Sequence, residues 1–166
     1  SKGVMIDAVA EDGASALHHA CRISQNEEII EYLLQAEADT NLQSYEQGNT
    51  ALMEAIIHKH RENALSLLRL NKEDMSISKG DPMNVNACDD LGECALFHAV
   101  RVLDEEMVIE LLAVDANINI VNNVGDSLLH VAVMACVGLT RGTQGLDIVK
   151  LLIERNCDFK RNKSNK

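Results

Sequence analysis

The chain has 166 residues, 46% of them apolar, with aromatics at 2% and no tryptophan. That much apolar chain excludes a disordered tail, and a core of Ala, Leu, Ile, Val and Met suits close-packed helices better than a sandwich or barrel. The formal charge of −11, from 26 acidic and 15 basic residues, disfavours nucleic acid and anionic membrane and favours a basic protein partner.

The five cysteines are odd in number and lack paired spacing, so they read as reduced thiols and place the protein in cytosol or nucleus. The opening SKGVMIDAVAEDG has no apolar run of signal-peptide length, and its start at Ser1 without Met reads as an excised piece. The longest apolar stretch, Leu128 to Leu139, is interrupted by His130 and falls short of the ~20 residues that a membrane span needs. The sequon Asn162-Lys163-Ser164 carries no weight.

In chain order, the first element is GASALHHA from Gly13, followed by EEIIEYLLQAEADTN. Its pattern returns as GNTALMEA at Gly48 with ENALSLLRL, as GECALFHA at Gly92 with EEMVIELLAVDANIN, and as GDSLLHVA at Gly125 with LDIVKLLIERNCD. The steps of 35, 44 and 33 residues mark a stacked array. Each unit reads as helix, turn, helix. Glycine supplies a φ > 0 turn, and Ser15, Thr50 or Ser127 two positions on supplies an N-cap, with Cys94 the poorest cap. Ala20, Ala55, Ala99 and Ala132 allow close helix approach. Ile29, Ile30, Leu33, Leu34 and their counterparts form an apolar stripe that only stacking can bury. Two polar or Gly-rich inserts, NKEDMSISKGD near 71–81 and GLTRGTQG near 138–145, are expected to be surface loops.

On these motifs the chain resembles the ankyrin-repeat family, whose pattern runs D-x-x-G-x-T-P-L-H-x-A-A, then E-I-V-x-L-L-L, then G-A-D-V-N. The resemblance implies an all-α ankyrin-repeat solenoid of stacked helix-turn-helix units with hairpin-like loops. Residues 1–12 would be the tail of a preceding repeat, with repeats at 13–47, 48–91, 92–124 and 125–160 and a basic tail at 161–166. The array is expected to extend upstream. No unit keeps the motif proline. Met53 and Phe97 replace the motif histidine that His18 and His130 retain, so the loop brace should be missing and those units softer.

Other constellations read as parts of the repeat. His18, His19 and Cys21 lack a second ligand pair for zinc, and Cys94 with His98 falls on cap and helix positions. The segment DANINIVNNVGD mimics a calcium loop but has Ile120 where that loop needs glycine. GLTRGTQG lacks the Gly-Lys-Ser/Thr ending of a phosphate loop, and no cysteine or serine sits in a nucleophile context. No catalytic set, metal or cofactor is expected. The basic run HKHR, His58 to Arg61, reads as a solvated turn.

The resemblance implies a non-catalytic protein-binding module, with the partner lying across the hairpin tips and inner helices on the concave face. Carried over by position, the tips are Glu11, Asp12, Ala14, Glu46, Gln47, Asn49, Asp90, Leu91, Glu93, Asn123, Val124 and Asp126. The inner-helix ends add Arg22, Ile23, Ile57, His58, Arg101, Val102 and Met134. Six of the twelve tip residues are acidic, which points to steering of a basic partner, with Ile23, Ile57 and Val102 as apolar anchors. The degenerate units, the insertion and the acidity are similar to the inhibitors of Rel-type transcription factors. TALMEA and VNACDDLGECALFHA resemble units in the ankyrin domain of the oligoadenylate-activated ribonuclease, which implies as alternative a ligand-sensing domain of a larger enzyme. The protein is expected to be a monomer.

Overall fold

The computed structural model describes residues 5–73, 82–137 and 145–163. Among these are eight helices: α1 (Ala16–Cys21), α2 (Glu27–Gln35), α3 (Ala51–Ile57), α4 (Arg61–Glu73), α5 (Ala95–Arg101), α6 (Glu105–Ala113), α7 (Leu128–Val137) and α8 (Leu146–Lys163). No strand forms among the described residues beyond the isolated bridges Val9 to Ser15 and Val121 to Ser127. The segment near 71–81 begins inside α4, which runs on through Glu73. Its remainder at 74–81, the insert at 138–144 and the last residues 164–166 lie outside the described residues.

Two compact units divide the chain, Ser1–Asp90 and Leu91–Lys166. In the N-terminal unit the short inner helices α1 and α3 pack on each other, the outer helices α2 and α4 do the same, and each inner helix packs on its own outer partner. The alanines make this approach possible: Ala20, Ala55 and Ala64 are all buried. Around them Leu17, Ile30, Leu52, Met53, Leu67 and Leu68 fill the core. Each fully buried side chain of this size contributes about 1.5–3 kcal/mol. Ile29, expected in the stripe, is instead half exposed, while Met107 in the same register of the third repeat is buried. The C-terminal unit repeats the plan, with α5 against α7, α6 against α8, and a core of Leu96, Phe97, Val108, Leu111, Leu128, Ile148 and Leu152.

Four helix ends close by one device. The amides of Lys59 and His60 bond back to the carbonyls of Ile56 and Ala55, and those of Leu103 and Asp104 to Val100 and Ala99. Glu37 with Ala38, and Asp115 with Ala116, do the same at the ends of α2 and α6. This is the 5→2 and 6→1 pairing that requires a left-handed residue after the helix. Lys59, Leu103, Glu37 and Asp115 accordingly have φ between 58° and 63°. None is glycine, so each end carries roughly 1–2 kcal/mol of local strain.

The motif glycines do what the sequence asked of them. Gly13, Gly48, Gly92 and Gly125 have φ of 77°, 70°, 76° and 90°. In the first three a second constraint applies, because the next hairpin lies directly on the glycine. A Cβ on Gly13 would come within 2.5 Å of the Tyr45 backbone nitrogen, and one on Gly48 within 3.0 Å of that of Asp90. In the C-terminal unit a Cβ on Gly92 would come within 3.0 Å of the Asn123 nitrogen. Backbone bonds run along the same seats: Tyr45 N–H to Asp12 O at 2.8 Å, Asp90 N–H to Gln47 O at 3.0 Å, Asn123 N–H to Leu91 O at 2.9 Å.

Candidate protein-binding surface

The motif histidine braces its own loop and the following one. His18 Nε2 donates to the Asn49 carbonyl at 3.0 Å, so Nδ1 is the acceptor for the Ser15 N–H at 3.2 Å and the Ser15 hydroxyl at 2.9 Å. Both ring nitrogens are thus engaged within the protein. Burial holds the His18 pKa below its usual value, and burial likewise pushes the Cys21 thiol up to about 12. Neither offers the deprotonated or open atom that a metal or a nucleophilic reaction needs. At the calcium-like segment, Asn117 and Asn122 side chains accept backbone amides of Asn119, Val124 and Asp126, which ties them into turns.

In the second repeat the local half of the brace survives, while a thioether has no N–H to donate to the following loop. The Met53 sulfur accepts the Thr50 N–H at 3.5 Å, and the Thr50 hydroxyl accepts the Met53 N–H at 3.4 Å. A thioether is a weak acceptor, so this is a poorer version of the imidazole contact. In the third repeat Phe97 supplies only a fully buried ring.

Of the N-terminal unit's expected contact residues, Ala14 and Asn49 are buried and serve the fold. Asn49 donates to Glu54 and Gln47 side chains at 3.0 Å each. Arg22 is taken up by an ion-pair network, with Nε and Nη2 on Glu54 at 3.0 and 3.2 Å and Nη1 on Asp12 at 3.2 Å. Burial alone would raise the Glu54 pKa, but the Arg22 and Asn49 hydrogen bonds outweigh it and hold the carboxylate ionised. The Ala14 amide, with Arg22, lowers the pKa of Asp12. The remaining tip residues, Glu11, Glu46, Gln47 and Asp90, are exposed, as are Ile23 and His58 at the inner-helix ends, while Ile57 is half-buried.

The HKHR turn is not simply solvated. His58 Nδ1 donates to the Glu54 carbonyl at 2.9 Å and His60 Nε2 to the Arg22 carbonyl at 3.1 Å, with the two rings stacked at 6.2 Å. Their first job is to clamp the ends of α3 and α1.

Sequence reasoning passed over Tyr45. Its amide is fixed by Asp12, its ring lies over Gly13, and it is 70% exposed next to Glu46, which makes it the one aromatic presented on these tips. The available signal was its place two residues before Gln47 in the second hairpin.

In the C-terminal unit Glu93 is likewise buried, contrary to expectation. It accepts from Arg101 Nη2 at 2.7 Å and from Asn122 Nδ2 at 2.9 Å. Burial would raise its pKa, and the Asn122 and Arg101 hydrogen bonds outweigh that. Leu91, Asn123, Val124 and Met134 are exposed, Arg101 is exposed though paired, and Val102 and Asp126 are half-buried. Among the described residues no helix is long and apolar enough to cross a membrane.

A family model described as ankyrin repeats in three copies matches residues 2–79 and again 76–163, which together take in nearly the whole chain.

Proposed function

The chain belongs to the ankyrin-repeat family, whose repeats generally mediate protein–protein interaction and are typically non-catalytic; on that premise we propose that it is a binding module for a basic segment of another protein. We infer repeats at 13–47, 48–91, 92–124 and 125–160. The contact surface in the N-terminal unit is built on Glu11, Glu46, Gln47 and Asp90, with Ile23 and Tyr45 as apolar anchors. In the C-terminal unit it is built on Leu91, Asn123, Val124 and Met134. The partner class we favour is a Rel-type transcription factor, which the chain would inhibit.

One observation carries the choice of a basic partner. The arginines of these faces are spent on buried glutamates, Arg22 on Glu54 and Arg101 on Glu93, so they do not offset the exposed Glu11 and Glu46. An acidic rim beside apolar side chains steers a cation in and then holds it by burial.

Titration of a lysine- and arginine-rich peptide by calorimetry tests this. Binding should weaken steeply with added salt, and a Glu11→Lys/Glu46→Lys double variant should bind at least tenfold more weakly with its melting temperature unchanged. Equal affinity for an acidic peptide would overturn the proposal. A thermal shift with oligoadenylate and no response to the basic peptide would assign the chain to ligand sensing instead.

A further inference from the structure

Beyond the rim, the last repeat ends on a face made like the contact between repeats inside each unit. Gly13 and Gly48 are each overlaid by the backbone of the next hairpin, and so is Gly92 in the C-terminal unit, whereas among the described residues a Cβ on Gly125 would meet nothing within 4 Å. The residue before each of the overlaid glycines gives its carbonyl to the incoming amide: Asp12, Gln47 and Leu91. Val124 holds that place before Gly125.

The motif histidine gives a second sign. His130 makes the same two bonds as His18, taking the Ser127 N–H at 3.2 Å and pairing with the Ser127 hydroxyl at 2.9 Å. In the first repeat the other nitrogen reaches the next hairpin's carbonyl at Asn49. His130 is exposed, and among the described residues its Nε2 has no acceptor.

Packing gives a third. Val133 is 46% exposed, whereas its register counterparts Cys21 and Val100 are at 0%. Val137 on α7, with Leu146 and Ile153 on α8, is exposed with it. An array that ends at a repeat carries a polar outer face there, and this face is apolar.

We propose that the outer face of α7 and α8, with the hairpin at Val124, is the seat of one further repeat of the same kind, joined in line after α8. That repeat's hairpin donates an amide to the Val124 carbonyl and offers a carbonyl to His130 Nε2. Its inner helix covers Val133 and Val137. The occupant is a whole repeat because amide, carbonyl and apolar helix must arrive in one register. It is not a second copy of this chain, since like copies at −11 repel.

The test appends one consensus-type repeat with a polar outer face after α8 and compares melting temperatures, with and without Gly125→Ala. The fusion should melt in one transition, at least about 4 °C above the parent. Gly125→Ala should lower the parent by about 2–8 °C and the fusion by at least twice as much, because only the fusion has a hairpin on that glycine. Equal shifts in both backgrounds, or a separate transition with the parent's melting unchanged, would overturn the proposal. So would concentration-dependent association of the parent in sedimentation velocity that Val133→Lys abolishes, since it would give the face to a second copy.

Discussion

His18 Nε2 donates to the Asn49 carbonyl across 31 residues of sequence, at 3.0 Å and out of contact with water. One imidazole thereby fixes two consecutive hairpin loops, and because its Nδ1 must accept from Ser15, the ring works only when neutral.

The sign of the pH dependence follows. The folded-state pKa of His18 lies below its ordinary 6.5 because burial penalises the charged ring, so the unfolded chain takes up the proton first. This stability is full above about 6.5 and is lost as the pH falls toward the folded value. Glu54 and Glu93, held below their ordinary 4.5, lose theirs only as the pH falls below that. Melting temperature against pH should therefore descend in two stages. His18→Met, copying Met53, should cost about 0.5–1.5 kcal/mol at neutral pH by removing the bond to the Asn49 carbonyl, which keeps the Ser44 N–H, and should flatten the upper stage. An unchanged upper stage would contradict the assignment.

The two ion pairs should not be equal. Each arginine serves a glutamate side chain at most 4% exposed, but Arg22 is 26% exposed and holds Glu54 through two nitrogens with a third on Asp12, while Arg101 is 51% exposed, reaches both Glu93 oxygens through Nη2 alone, and water screens it. Removing one partner of a buried pair costs about 3–5 kcal/mol, and screening reduces that. Arg22→Ala is expected to cost about 2–3 kcal/mol in urea denaturation and Arg101→Ala about 1. The reverse order would show that the Glu54 network is not the stronger tie.

The left-handed helix ends predict a stabilising change. Glu37 has φ 63° and is exposed, so Glu37→Gly relieves the strain of a side chain there at a small entropic cost in the unfolded chain. A gain of about 0.5–1 kcal/mol should appear as a higher denaturation midpoint with the same slope. A loss would mean that Glu37 makes a contact worth more than its strain.

Gly13→Ala and Gly125→Ala separate two reasons for one residue. Both have positive φ, but only Gly13 lies under another backbone, with Tyr45 N at 2.5 Å from the added carbon. Gly125→Ala should cost about 1–2 kcal/mol and Gly13→Ala upwards of 3, since the Tyr45 to Asp12 bond must break. Equal losses in thermal denaturation would contradict the seating of one hairpin on the next.

The repeat was legible because glycine, alanine and paired leucines have no substitute at a tight turn or a close helix contact. What the sequence hid was direction at the position after each glycine. Ala14, Asn49 and Glu93 share that register and all point inward, and the alanine was the signal, since a tip residue has no reason to be small. Asn49 and Glu93 read as solvent-facing because their partners, Glu54, Arg101 and Asn122, come from other elements. Met53 as an acceptor had no signal, since a thioether in a core is usually mere filling.

The most direct test of the proposed surface is a heteronuclear NMR titration with the lysine- and arginine-rich peptide. Shifts gathered on the amides of Glu11, Ile23, Tyr45, Glu46 and Gln47 and fading with added salt are predicted. Shifts gathered on the outer helices α2 and α4, or none at saturating peptide, would contradict the account.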